Sequence, residues 1–178
     1  MTTPYVRKIL PRFIRMFKAR NYTNIVVHES DDPLTIDAVD PRDPDYKKTV
    51  KLIFFDIPKF TVRTAEECLS CNDKDHIVVV YKEGITCFAK RVLEMPNKIV
   101  VEHMPSKSLE IDITHHVLQP KFVRLSLKER DEFIKKWGVK FPKMKINDPI
   151  AKYFNFVQDD VIVIHRKNGD IIYRIVTS

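Results

Sequence analysis

Apolar residues recur three and four apart from Tyr5 to Phe17 (Tyr5, Val6, Ile9, Leu10, Phe13, Ile14, Phe17), the spacing of one face of a helix. Thr3-Pro4 supplies a capping residue followed by proline at the first helical position. Pro11 falls inside this pattern and predicts a kink or a restart, because it lacks the N–H that a helix interior needs. Residues 22–28 then read as a strand. Residues 29–45 are acidic, contain Pro33, Pro41 and Pro44, show no periodicity, and read as a loop. Residues 50–55 form the next predicted strand, stopped near Pro58, and residues 62–69 a short helix. Residues 75–81 are a continuous apolar run between turn residues, as expected of a strand covered on both faces. Gly84 breaks that run. Residues 87–95 read as a helix ended by Pro96-Asn97, and residues 98–103 as another strand. Strand, helix, strand, helix, strand at this spacing predicts a small α/β domain with parallel pairs, its central strands covered by helices.

The pattern changes after this. Residues 109–113 (LEIDI) alternate with period two and predict a half-buried strand; Gln119-Pro120 reads as a connection. Ser126 and Glu129 have the spacing of a capping box that opens a helix to Trp137, stopped by Gly138. Leu127, Phe133, Ile134 and Trp137 are its apolar stripe. Asn147-Asp148-Pro149 again offers a cap and a proline at the first helical position, here of a one-turn helix ending at Phe154. Residues 160–166 and 171–176 are apolar strands flanking Asn168-Gly169, a strong hairpin signal. The boundary between the halves falls near residues 104–113. The expected organisation is therefore α+β / α/β. A small α/β domain with a mixed sheet spans residues 1–108, and a small α+β domain ending in a β-hairpin spans residues 109–178.

Charge adds a direction to this outline. The net charge is +7, and residues 113–178 hold 13 Lys and Arg against 7 Asp and Glu, whereas the rest is nearly balanced. A second basic cluster (Arg7, Lys8, Arg12, Arg15, Lys18, Arg20) lies along the first helix before any acid appears. Such a balance suits nucleic acid or an acidic protein surface as partner; the alternative is a solvated outer helix face. No apolar run approaches the roughly 20 residues that span a bilayer. Basic residues break every apolar run before Arg20, so no secretory leader is expected and the chain reads as soluble and intracellular.

Candidate reaction chemistry is sparse. Three cysteines argue for a reducing compartment, and Cys68 and Cys71 have the spacing of half a zinc site without a second pair to complete it. The three glycines form no phosphate-binding loop. His115 and His116 are adjacent and would point to opposite faces of a strand. The best enzymatic reading is a metal-dependent nuclease built on Asp37 or Asp40 with Asp56 and Lys59. It would need two carboxylates converging on a divalent ion. No metal, cofactor or catalytic residue is expected.

The residues also carry a resemblance. Asp148-Pro149-Ile150-Ala151-Lys152-Tyr153-Phe154, with Pro142 and Tyr173-Arg174, resembles the assembly domain of the fifth common subunit of DNA-directed RNA polymerase, whose archaeal counterpart lacks the N-terminal domain. Residues 109–118 (LEIDITHHVL) are similar to that family's strand leading into this domain. Gly84-Ile85-Thr86-Cys87-Phe88-Ala89-Lys90 is similar to its Gly-x-Thr-Pro-Ser-Ala-Lys loop, and the basic helix followed by Arg20-Asn21-Tyr22 to its opening helix. Two departures stand out: Cys87-Phe88 replaces Pro-Ser, and Asn155 replaces the glycine that usually follows the short helix.

The resemblance implies a non-catalytic polymerase subunit acting in transcription. Its C-terminal domain would dock on the largest subunit through Asp148, Pro149, Lys152, Tyr153, Phe154, Arg166, Tyr173 and Arg174. Its N-terminal domain would form part of the lower jaw, with Lys82, Thr86, Lys90 and Arg91 near downstream DNA. Other polymerase subunits would be further partners, DNA contact would be weak and confined to the complex, and neither membrane binding nor a homo-oligomer is expected. The location would be the nucleus for a cellular enzyme, or a virion or viral factory for that of a large DNA virus, whose compact genes the shortened hairpin suits. The alternative is a stand-alone nucleic-acid-binding protein.

Overall fold

In the computed structural model, residues 4–29, 33–41, 48–70, 72–96, 98–111, 113–114 and 118–178 are described. They fall into two units, Met1–Ile111 and Asp112–Ser178. Both mix helices with sheets, as the hydrophobic pattern predicts.

The first unit opens with α1 (Pro4–Ala19), which buries Val6, Ile9, Phe13, Met16 and Phe17. The helix neither stops nor restarts at Pro11. Pro11 and Arg7 are both exposed, so water can serve the Arg7 carbonyl that loses its intrahelical donor. There follow β1 (Thr23–His28), β2 (Leu34–Asp40), β3 (Lys48–Phe55), β4 (Lys59–Phe60), α2 (Val62–Ser70), β5 (His76–Tyr81), β6 (Gly84–Ile85), α3 (Cys87–Glu94) and β7 (Val100–Pro105). Five strands form one sheet in the order β1-β2-β3-β5-β7. β1, β2 and β3 pair antiparallel, and β3, β5 and β7 pair parallel. β4 and β6 form a separate two-residue parallel pair.

Every residue of β5 is buried, so its apolar run needs cover on both faces. Ile53, Ile77 and Val79 pack with Ala65 and Cys68 of α2 and Ala89 and Leu93 of α3. On the alternate positions, Phe54 meets α1 through Phe13, with ring centroids 5.5 Å apart. α2 and α3 thus cover one face and α1 the other.

Two sequence expectations fail here. β2 lies within the stretch expected to be a loop. Its acids and flanking prolines hide a period-two pattern, Leu34, Ile36 and Ala38, all buried. The strand expected at residues 109–113 is absent from the described residues there. Ser106–Leu109 is instead a 3-10 turn, and Ile111 is exposed. The alternation finds no partner strand because α1 captures this segment. The Tyr5 hydroxyl lies 2.7 Å from Ser106 Oγ and donates to Glu110 at 3.0 Å, and Arg12 donates to the Leu109 carbonyl at 3.0 Å. Asp112 and residues 115–117, with His115 and His116, lie outside the described residues.

Among the described residues of this unit, charge is buried at Asp40 on β2 and in a cluster at the end of α1. Arg20, expected on the basic outer face, is instead 5% exposed just after α1. Its two terminal nitrogens donate to the two Glu102 oxygens on β7 at 3.1 and 2.9 Å. His76 Nε2 of β5 lies 2.6 Å from Glu102 Oε1. Burial alone would push the Glu102 carboxyl up, but Arg20 and His76 outweigh it and hold it at about 2.

The second unit contains β8 (Lys121–Arg124), α4 (Leu127–Trp137), β9 (Lys143–Lys145), α5 (Pro149–Phe154), β10 (Val161–His165) and β11 (Ile171–Thr177). Its sheet runs β8-β10-β11-β9, with β9 parallel to β11 and the other pairs antiparallel. β8 and β9, only four and three residues long, have too few positions for periodicity to reveal. The hairpin forms as expected, but through a three-residue loop. Arg166 N–H donates to the Asp170 carbonyl at 2.9 Å and Gly169 N–H to the Arg166 carbonyl at 3.1 Å, with Gly169 at φ 90°. One sheet face packs Ile162, Ile164 and Val176 against Ile150, Ala151 and Phe156.

Removing one partner of a buried ion pair costs roughly 3–5 kcal/mol. Glu102→Gln is predicted to lose about that much at pH 7, read from urea unfolding. The native carboxyl sits at about 2 against an ordinary 4.5. Between these values the unfolded chain binds the extra proton, so this stabilisation is full above about 4.5 and is lost as pH falls towards about 2. The stability difference between wild type and variant should shrink across that window; a constant difference would refute the account.

Candidate functional site

The residues expected near DNA sit on the edge of the first unit formed by the turn after β5 and by α3. Thr86 does not belong to an open loop. It caps α3, its Oγ1 accepting from Ala89 N–H at 3.2 Å, while its own N–H donates to the Phe60 carbonyl at 3.1 Å. Cys87 and Phe88 therefore occupy the first turn of a helix, where proline and serine would also fit. Both are exposed, and Phe88 lies under the Arg91 guanidinium, 5.8 Å from ring centre to Cζ. Lys90 is exposed and lies 3.6 Å from Glu94. Lys82 is held differently. Its Nζ is 2.6 Å from Asp56 Oδ1 and 5.0 Å from the Tyr5 ring centre. The hydrogen bond from Lys82 to Asp56 raises its pKa. The structure thus groups Thr86, Lys90 and Arg91 on α3 and ties Lys82 to the end of β3.

The basic cluster of α1 also divides. Arg7, Lys8, Arg15 and Lys18 are exposed, Arg12 serves the Leu109 carbonyl, and Arg20 is buried. Asp37, Asp40 and Asp56 do not converge. Asp37 meets His28 across β1–β2 at 3.2 Å, and Asp40 pairs in register with Lys48 at the far end of β3. Asp56 follows the opposite end of β3, eight residues beyond Lys48 and so roughly 27 Å away at about 3.4 Å per residue. Among the described residues no group of three or more His, Cys, Asp or Glu is placed to hold a metal ion. Cys68, on the core-facing side of α2, is buried and Cys87 is exposed; Cys71, the other half of the expected pair, lies outside the described residues. No helix among the described residues is long and apolar enough to cross a membrane.

In the second unit the expected docking residues lie on α5 and the hairpin. Asp148 caps α5, accepting from Ile150 N–H at 2.8 Å, and Pro149 holds the first helical position. Asn155 ends the helix at φ 52°, ψ 50°, the left-handed conformation that a glycine would otherwise supply. Tyr153 is buried, and Phe154 stacks on Phe156 with centroids 5.4 Å apart. These two rings build the core behind the surface. Lys152 and Arg166 are exposed, and Tyr173 and Arg174 are half-buried. Tyr173 stacks on Phe133 of α4 at 4.5 Å.

α4 itself was expected to bury its stripe. The capping box forms, yet none of its residues is buried, and Leu127 and Trp137 stand in solvent. An aromatic content above what so small a core needs, Trp137 and Phe141 included, is the sequence signal that pointed to an interface; the acid-free, lysine-rich run of residues 133–147 around Trp137 is the signal that sequence reasoning missed.

Residues 111–176 match the family model described as RNA polymerase Rpb5, C-terminal domain. The Dictyostelium discoideum protein named DNA-directed RNA polymerases I, II, and III subunit rpabc1 is 28% identical over 171 residues, covering 86% of this chain and 85% of that one. A putative DNA-directed RNA polymerase subunit of Invertebrate iridescent virus 6 is 35% identical over 119 residues, covering 60% of this chain and 64% of that one. The Caenorhabditis briggsae RPABC1 subunit is 27% identical over 169 residues, covering 89% and 74%.

Loss of a helix cap costs about 1 kcal/mol. Asp148→Ala should lower the urea-unfolding free energy by about that much, and Asp148→Asn by much less, since an amide oxygen can still accept from Ile150. An equal loss in both variants would show that the charge, rather than the cap, is what matters.

Proposed function

We propose that this chain, whose residues 111–176 match the family model described as RNA polymerase Rpb5, C-terminal domain, is a subunit of a multisubunit DNA-directed RNA polymerase. The observation that carries the reading is the joint one of family match and scaffold: the segment 148–174 is held by an intact cap, a left-handed helix end and a closed hairpin. The subunit acts in transcription without an active site of its own. Its C-terminal unit docks on the largest polymerase subunit, and other subunits complete its surroundings. The exposed Pro149, Lys152 and Arg166, with half-exposed Asp148, Tyr173 and Arg174, are the contacts. Tyr153 and Phe154 support them from the core. An arginine at a hairpin tip is suited to a bidentate pair with a partner carboxylate.

The N-terminal unit extends the lower jaw beside downstream DNA, with α3 as its DNA-facing element. Lys90 and Arg91 are the exposed cations there, and Thr86 orients them by capping the helix. Lys82, already paired with Asp56, contributes less. Two to four phosphate contacts give a salt slope of about −0.9 each and leave binding by the isolated chain weak. The contact matters only in the assembled enzyme, where the effective concentration is high. A cellular polymerase would place the chain in the nucleus, and a viral one in a virion or viral factory. The exposed Arg7, Lys8, Arg15 and Lys18 on α1 favour the second reading, a stand-alone nucleic-acid-binding protein.

Affinity capture of the tagged full-length chain from its native extract separates these. Recovery of the largest polymerase subunit is expected, reduced at least about tenfold by Lys152→Glu/Arg166→Glu, as for charge pairs at an interface. Both side chains are exposed, so the variant should fold as wild type by circular dichroism. Recovery of nucleic acid alone, removed by nuclease, would favour the stand-alone binder.

A further inference from the structure

Five lysines and no acid occupy residues 133–147: Lys135, Lys136, Lys140, Lys143 and Lys145, all exposed. The fold gathers them. Lys143 and Lys145 of β9 stand in register with Ile175 and Thr177 of β11, so they emerge on the same sheet face as Tyr173. Tyr173 stacks on Phe133 of α4, and Phe141, from the segment joining α4 to β9, lies 4.9 Å from the same ring. The C-terminal end of α4, residues 138–142 and β9 are therefore neighbours, and their lysines surround one patch. Inside it stand two large apolar side chains, Trp137 at 61% exposure and Val139 at 65%. Lys136 Nζ lies 5.1 Å from the Trp137 ring centre. Leu127, at the opposite end of the same helix, extends the apolar strip at 59% exposure.

Lysines on an edge strand also protect it from stray pairing, which accounts for Lys143 and Lys145 alone. That does not account for a tryptophan and a valine standing among cations. An apolar centre holding tryptophan inside a polar rim is the anatomy of a protein interface. We infer that the α4–β9 face receives a carboxylate-rich segment of the largest polymerase subunit, which seats an apolar side chain against Trp137 and Val139 while its acids meet the five lysines. The inference rests on the docking role proposed above and assigns to it a second face and a partner chemistry. Charge argues against a second copy of this chain, because lysines would face lysines and residues 113–178 carry 13 cations against 7 acids. Nucleic acid would satisfy the lysines through its phosphates but leave Val139 and Leu127 uncovered.

The test uses the full-length chain co-expressed with the largest subunit, beside Lys135→Glu/Lys136→Glu/Lys140→Glu and Trp137→Ala. All four positions are exposed, so each variant should unfold in urea near the wild-type midpoint; Lys135→Gln/Lys136→Gln/Lys140→Gln is a second charge variant should the first misfold. Affinity for the largest subunit should fall at least about tenfold on charge reversal and roughly thirtyfold for Trp137→Ala, as for an interface hot spot. A photo-crosslinker at position 139 should capture a peptide of that subunit with excess Asp and Glu. Wild-type binding that survives both variants, a crosslink to a second copy of this chain, or a crosslink only to nucleic acid would each overturn the inference while leaving docking through α5 and the hairpin intact. Failure of wild type to bind the largest subunit at all would remove both readings.

Discussion

A sheet with apolar residues on both faces has to have both faces covered, and this constraint organises the molecule. The first unit meets it internally. α1 closes one face over Phe54, α2 and α3 close the other over Ile53, Ile77 and Val79, and β5 is buried along its whole length. The second unit meets it only in part. α5 and Phe156 fill one face of its sheet. On the other, α4 reaches Tyr173 through Phe133 but buries none of its own residues, while Val123 and Ile171 stay exposed. About 66 residues make a marginal domain on their own. A tryptophan left in water on a unit this small is the feature on which the proposed docking role draws.

Electrostatics divides the units in the same way. The first unit spends its principal buried charge on itself. Arg20 and His76 converge on Glu102 and tie the end of α1 to β7 and β5. Its other described cations are scattered over many elements, among them α1, β3, α2 and α3. In the second unit the ion pair of Arg124 with Asp160 is long, at 3.7 Å, and most lysines point outwards. The excess positive charge is therefore available to a partner. One unit is finished as a fold and offers scattered cations; the other offers a concentrated basic and apolar surface.

Much of this was legible in the sequence, for reasons that particular residues make plain. The strands β3, β5 and β7 announce themselves by short apolar runs, continuous from Ile77 to Tyr81 in β5, and α4, α5 and the hairpin by their caps and turn residues, Ser126, Asp148, Asn155 and Gly169. β2 was hidden because acids and prolines dominate its neighbourhood, although Leu34, Ile36 and Ala38 alternate. The alternation at Leu109 and Ile111 misled because period two specifies a strand only where a neighbouring strand exists to pair with it. Arg20 could not be told from its basic neighbours, since nothing local to it reveals Glu102 eighty-two residues away. At the candidate site, the residues that carry the resemblance were readable. Which of them face outwards was not: Tyr153 turned inwards, Thr86 became a cap, and of the aromatics surplus to so small a core it was Trp137 that stood in solvent.

Hydrogen exchange of the full-length chain, free and bound to the largest polymerase subunit, tests the central claim most directly. The account predicts that binding slows exchange in α5, the β10–β11 hairpin and the α4–β9 face, and leaves β3, β5 and β7 unchanged. Protection confined to residues 1–111, or none anywhere in the presence of the partner, would contradict it.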